Sequence, residues 1–154
     1  MPGEAARPVA AKAAVGVNNP RADLGAVLLR FLLGALFIAH LYWKIFVLPG
    51  GISTWWNGLV SNGYPAFVPA YVLSAEIAGS LLLIPGVFTR FVAAYSIPMM
   101  AGAAQFWLVR TGFYFTKSGA ELPLLWLALL MLQIVLGDGA LALVPSPALP
   151  KLRA

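Results

Sequence analysis

The sequence predicts an all-α fold, an integral membrane four-helix bundle with both termini cytoplasmic and a short interfacial helix between the first and second spans. Three observations predict it. Of 154 residues, 61% are hydrophobic and only 10% are charged, with a mean hydropathy of +0.87. A soluble domain of this size carries about a quarter charged residues, so lipid must solvate much of this surface. Second, four apolar stretches each approach the roughly 20 residues that carry a helix across about 30 Å of hydrocarbon. Third, with a cytoplasmic N-terminus, that side receives Arg7, Lys12, Arg21, Arg90, Lys151 and Arg153. The opposite side receives Arg110 and Lys117, with Lys44 just inside it. Basic residues favour the cytoplasmic side, which places both ends inside a plasma or inner membrane.

Each element follows in order. Residues 1–20 carry no apolar segment or cleavage site of a secretory leader and read as a flexible cytoplasmic tail. Residues 21–145 form the transmembrane domain, and 146–154 a second short tail. The first span runs from about Asp23 to Leu48 and stops at Pro49-Gly50-Gly51. The connection 49–67 has no charge and holds Trp55, Trp56 and Tyr64, residue types that settle at the headgroup boundary. It predicts a short interfacial helix capped by Ser53 or Thr54. The second span runs from about Val68 to Phe88, opened by Pro65 and Pro69 and weakened at Pro85-Gly86. The third, from about Phe91 to Val109, follows a tight turn at Thr89-Arg90 and contains Pro98. The fourth, from about Ala120 to Leu143, carries Pro123 in its first turn and is closed by Gly137-Asp138-Gly139 and the prolines beyond.

Composition also excludes function classes. The absence of cysteine removes disulfides, thiolate metal sites and iron–sulfur ligation. The single histidine, His40, rules out bis-histidine haem ligation and a multi-histidine copper site within one chain, so no metal site is expected. The net charge of +5 is scattered over helix ends and tails, which argues against nucleic-acid binding.

Polar residues inside the spans carry the functional information. A charge at mid-membrane costs about 2.5–3.5 kcal/mol on insertion scales, so such residues face protein or a cavity. The candidates are Arg30, His40, Lys44, Glu76 and Gln105. At about 100° per residue, Arg30, Phe37, His40 and Lys44 share one stripe of the first helix. Counting residues from the outer ends puts His40 and Glu76 at similar depth, with Lys44 one turn above and Gln105 nearby. The expected site is a pocket in the outer half of the bundle built on His40, Lys44, Glu76 and Gln105, with Trp43 a candidate wall for a flat ring. Arg30 belongs to the cytoplasmic half and is expected to snorkel toward headgroups; Arg90 is a structural polar residue. Three uses of the polar set stay open: a quinone or other small-molecule site, a lock that fixes helix register, and a proton-coupled exporter centred on Glu76. Gly34, Gly79, Gly102, Ala103 and Ala104 would let helices approach closely, in self-association or against other membrane subunits.

The order RFLLGALF (Arg30, Gly34), HLYWK (His40, Lys44), Gly63-Tyr64-Pro65, AEIAGSLLLIPG (Glu76, Gly79), Thr89-Arg90 and Gly137-Asp138-Gly139 resembles the DoxX family of small four-helix membrane proteins. The resemblance spans about Leu24 to Val144. It implies a small subunit of a thiosulfate:quinone oxidoreductase or terminal quinol oxidase system, or an associate of redox-defence enzymes. It also implies Arg30, Lys44 and Glu76, with His40, as functional polar positions. The resulting expectation is a non-metal membrane subunit of a quinone-linked or respiratory assembly, with no covalent cofactor and with quinone contacted in the outer half of the bundle. In that reading Lys44 or His40 donates to a quinone carbonyl and Glu76 positions the donor or relays a proton. The alternative is an accessory subunit that binds no substrate.

Overall fold

A computed structural model describes residues 20–147. The two tail readings, including Arg7, Lys12, Lys151 and Arg153 in the orientation count, fall almost wholly outside the described residues. Within the described residues the chain is helical, with no strand beyond one isolated parallel bridge between Val87 and Val144.

Helix α1 (Pro20–Tyr42) opens on a proline, whose missing N–H costs nothing at a helix start, and has Asp23 in its first turn. It runs directly into a π-helical turn, Trp43–Val47, giving a continuous apolar rod of 28 residues. The Leu48 N–H closes that turn on the Trp43 carbonyl at 2.8 Å. Leu48 itself is extended (ψ 124°), as a residue before proline prefers to be.

Leu48-Pro49-Gly50-Gly51 then forms a type II turn, with Gly50 at φ 78° and the Gly51 N–H on the Leu48 carbonyl at 2.8 Å. Helix α2 (Gly51–Ser61) starts straight from it. The helix expected in the connection is therefore present, but neither Ser53 nor Thr54 caps it, because the turn makes Gly50 the cap, three residues before Ser53. No residue of α2 is buried.

Helices α3 (Phe67–Leu82) and α5 (Glu121–Leu136) are shorter than their apolar stretches suggest. Beyond Leu82 the chain turns: the Val87 N–H returns to the Leu82 carbonyl at 2.9 Å, Pro85 has no donor to offer, and Gly86 takes φ 72°. Helix α5 stops at Gly137, φ 86°. Helix α4 (Thr89–Thr111) begins two residues before its expected start and contains Pro98 without ending there. A single 3-10 turn, Phe115–Lys117, lies between α4 and α5.

The main contacts set α1 against α3 and α5, and α4 against the same two helices. The shared core includes Leu33 and Phe37 of α1, Ala75 of α3, Ala93 and Met99 of α4, and Leu130 of α5. Close approach of α1 and α3 is set by Gly79, where any Cβ would overlap the Phe37 ring. Outward-facing side chains are strongly apolar, Phe31, Leu81, Val109 and Val135 among them. Two rods, Pro20–Val47 and Thr89–Thr111, are long and apolar enough to cross a membrane, whereas α3 and α5 are shorter apolar helices.

Candidate functional site

The polar residues separate into two groups at opposite ends of the helices. At the α2 end, the Lys44 ammonium donates to both carboxylate oxygens of Glu76, at 2.5 and 2.6 Å. The two side chains are about 95% removed from solvent. The face of Trp55 lies over the same ammonium, 3.9 Å from Nζ to the ring centroid. Lys44 therefore joins three elements: α1 through its π-turn, α3 through Glu76, and α2 through Trp55.

His40 does not enter this group. It is exposed on the α1 surface, with its ring edge-on to Trp126 at 4.8 Å between centroids. Together with Leu36, Leu122, Leu125, Trp126 and Leu129 it lines an apolar groove between α1 and α5. The shared stripe of the sequence reading is split because the buried face of α1 meets two helices. Phe37 and Lys44 reach Gly79 and Glu76 on α3, while His40 lies at the edge bordering α5. Depth counting matched His40 with Glu76, but the partner that reaches the carboxylate is Lys44, one turn on.

Gln105 and Trp43 also lie outside the pair. Both are exposed, and the tryptophan that covers Lys44 is Trp55, read from the sequence as belt. The expected single pocket of His40, Lys44, Glu76, Gln105 and Trp43 is thus resolved into a closed ion pair and a separate groove. The N–H of Trp126, buried beside that groove, has no hydrogen-bond partner among the described residues. Among the described residues no three His, Asp or Glu side chains are placed to hold a metal ion.

The second group lies at the end formed by the α3–α4 turn and the segment after α5. Arg30 does not snorkel. It is 1% exposed, and its guanidinium donates to the carbonyls of Asp138 (3.0 Å), Ala140 (3.2 Å) and Leu141 (3.0 Å). Arg90 ties α5 to the same segment, through Nε to the Ile134 carbonyl of α5 and Nη1 to the Pro147 carbonyl, both at 3.0 Å. The segment is laid along the α3–α4 turn by backbone bonds, Leu143 to Pro85 and Val144 to Gly86 at 3.1 Å and Phe88 to Val144 at 2.9 Å.

Asp138 completes this latch. Its carboxylate accepts the first N–H of α4, from Thr89, at 3.0 Å, and both the backbone N–H and hydroxyl of Ser146 at 2.8 Å. It thereby caps α4 from another part of the chain and meets the positive end of that helix dipole. Burial opposes the charge on Asp138, but the hydrogen bonds from Ser146 and Thr89 outweigh it and hold the carboxyl below its ordinary value of 3.8. A depressed carboxyl contributes stability that is present above the ordinary value and lost as pH falls through the folded one. Acid titration is therefore expected to release the segment 138–147 below about pH 4. Asp138→Asn should abolish that acid transition, as read by hydrogen exchange of the segment; an unchanged acid profile in the variant would contradict it.

A family model described as DoxX matches residues 25–111, more than half of the 154-residue chain. A protein of Haemophilus influenzae, named as an uncharacterized protein, is 37% identical over 119 residues, covering 75% of this chain and 84% of its own length. No solved structure matches the chain.

Proposed function

The chain belongs to the DoxX family of membrane proteins, and on that premise we propose that it is a small membrane subunit of a quinone-linked oxidoreductase or respiratory assembly. In this reading α1, α3, α4 and α5 cross the plasma or inner membrane, both termini are cytoplasmic, and α2 lies in the outer interface. The quinone head sits in the α1–α5 groove. The observation that carries this reading is the composition of that groove, four leucines with His40 and Trp126 as its polar members. Leucine walls suit a lipid-soluble ring and tail, and a neutral imidazole has one N–H to donate to a quinone carbonyl. Lys44 stands one helical turn along the first rod from His40, and its pairing with Glu76 keeps both groups from the groove's ligand.

A photoreactive quinone analogue tests the reading on full-length protein in lipid. Labelling is expected on the α1 and α5 peptides that contain Leu36–His40 and Leu122–Leu129. Loss of the donor in His40→Phe should weaken labelling roughly tenfold, the equivalent of one hydrogen bond. Equal labelling in the variant, or labelling elsewhere, would remove the quinone from this groove.

The second reading is an accessory subunit with no substrate. It is favoured by the ion pair itself, because Lys44 already has both Glu76 oxygens and the Trp55 face as partners. Such a closed pair serves as a lock between helices.

A further inference from the structure

The ion pair is closed on one side by a helix unlike the other four. Helix α2 has no buried residue. Its entrance is Gly50-Gly51, with φ 78° and 61°, and its exit is Gly63, with φ 89°. These are conformations that glycine adopts freely and other residues resist, so a glycine at each end can take up the backbone change that a hinge requires. Trp55 lies over Lys44 at 3.9 Å, and just beyond the end of α2 the Asn62 side-chain oxygen accepts from Arg110 of α4 at 2.9 Å. Arg110 is itself stacked on Phe106 at 3.7 Å, so the clasp at the exit end is anchored. Elements with few buried contacts open at low free energy, long before the body of a protein unfolds.

We propose that α2 is a hinged lid over the Lys44–Glu76 pair, and that lifting it brings the pair into contact with the aqueous phase bordering that end of the bundle. The lid turns on Gly50-Gly51 and Gly63, and Trp55 is its seal. When closed, the ammonium has the Trp55 face and both carboxylate oxygens as partners, and the pair is dry. When open, water replaces the indole, and the pair can exchange protons with that side of the membrane without any change in α1 or α3. This inference is independent of where a quinone binds, since the groove beside His40 lies against α5 and not beneath α2.

The absence of native cysteine makes the test direct, because two introduced thiols are unique labels. Asn57 on α2 and Val109 on α4 are both exposed, and spin labels on Asn57→Cys/Val109→Cys report the lid position in full-length protein in nanodiscs. Adding Trp55→Ala is expected to shift the population toward the longer distance several-fold. Identical distance distributions with and without Trp55→Ala overturn the lid. Access is read separately by a charged, impermeant thiol reagent on Lys44→Cys/Glu76→Leu, which carries the reporter thiol without leaving an unpaired carboxylate. Its reaction should be at least about tenfold faster with Trp55→Ala, a change of roughly 1.4 kcal/mol in opening; an unchanged rate shows that α2 does not control access to the pair.

Discussion

Glu76→Leu is expected to destabilise the folded protein by about 3–5 kcal/mol, the range found when one partner of a buried ion pair is removed. The cause is less the lost attraction than the orphaned Lys44 ammonium, which is 4% exposed and bonds no other carboxylate among the described residues. Replacing both charges, as Lys44→Met/Glu76→Leu, should restore most of the loss, because two apolar chains of similar volume need no solvation. Reversible unfolding in a mild detergent measures all three proteins. If the single variant is as stable as the parent, the pair is not a lock. The double variant then separates structure from chemistry. A stable protein that still takes the quinone label but loses the activity of its assembly would give the pair a role in proton handling. One that keeps both leaves it a fastener.

Arg30→Leu is expected to be comparably damaging at the other end, at about 3 kcal/mol or more. Three backbone carbonyls lose a charged donor, and hydrogen bonds to charged groups contribute about 1.5–3 kcal/mol each. Arg30→Lys should recover little, since a point charge cannot reproduce a planar fork that serves three acceptors in different directions. Hydrogen exchange locates the effect. Residues 138–147 and the α3–α4 turn should lose protection together, because they are bonded to each other, while α2 and the Lys44–Glu76 end keep theirs. Loss of protection throughout the chain would show that the latch is not a separate unit.

The legible and illegible parts of this protein divide along a physical line. Apolar runs located all the main helices, and the cost of charge in lipid singled out Lys44 and Glu76 among the residues that had to find partners. Hydropathy reports the solvent around a residue and not its backbone bonding. Leu83–Phe88 and Ala140–Leu143 are apolar yet form turns, and so hydropathy alone overstates the length of α3 and α5. A stripe at 100° per residue identifies one buried face but not which of two neighbouring helices it meets. His40 and Lys44 were therefore joined although they face α5 and α3. The partners of Arg30 are backbone carbonyls, which have no sequence signature. Asp138 had one that went unused: a carboxylate just after a helix C-terminus opposes the local dipole and must answer to something else, here the N-terminus of α4.

The latch has a consequence for how the protein is made. Arg30 lies in α1, but the earliest of its three acceptors in the chain, the Asp138 carbonyl, is 108 residues later. Until those residues are made, the three carbonyls that hold the guanidinium in the fold do not exist, and its charge must be solvated in another way. Only when α5 has been threaded and the segment after it folds back can the arginine withdraw into the interior. The segment after α5 is thus the step that commits α1 to its place, and a chain cut short before Asp138 would lack the acceptors that hold Arg30.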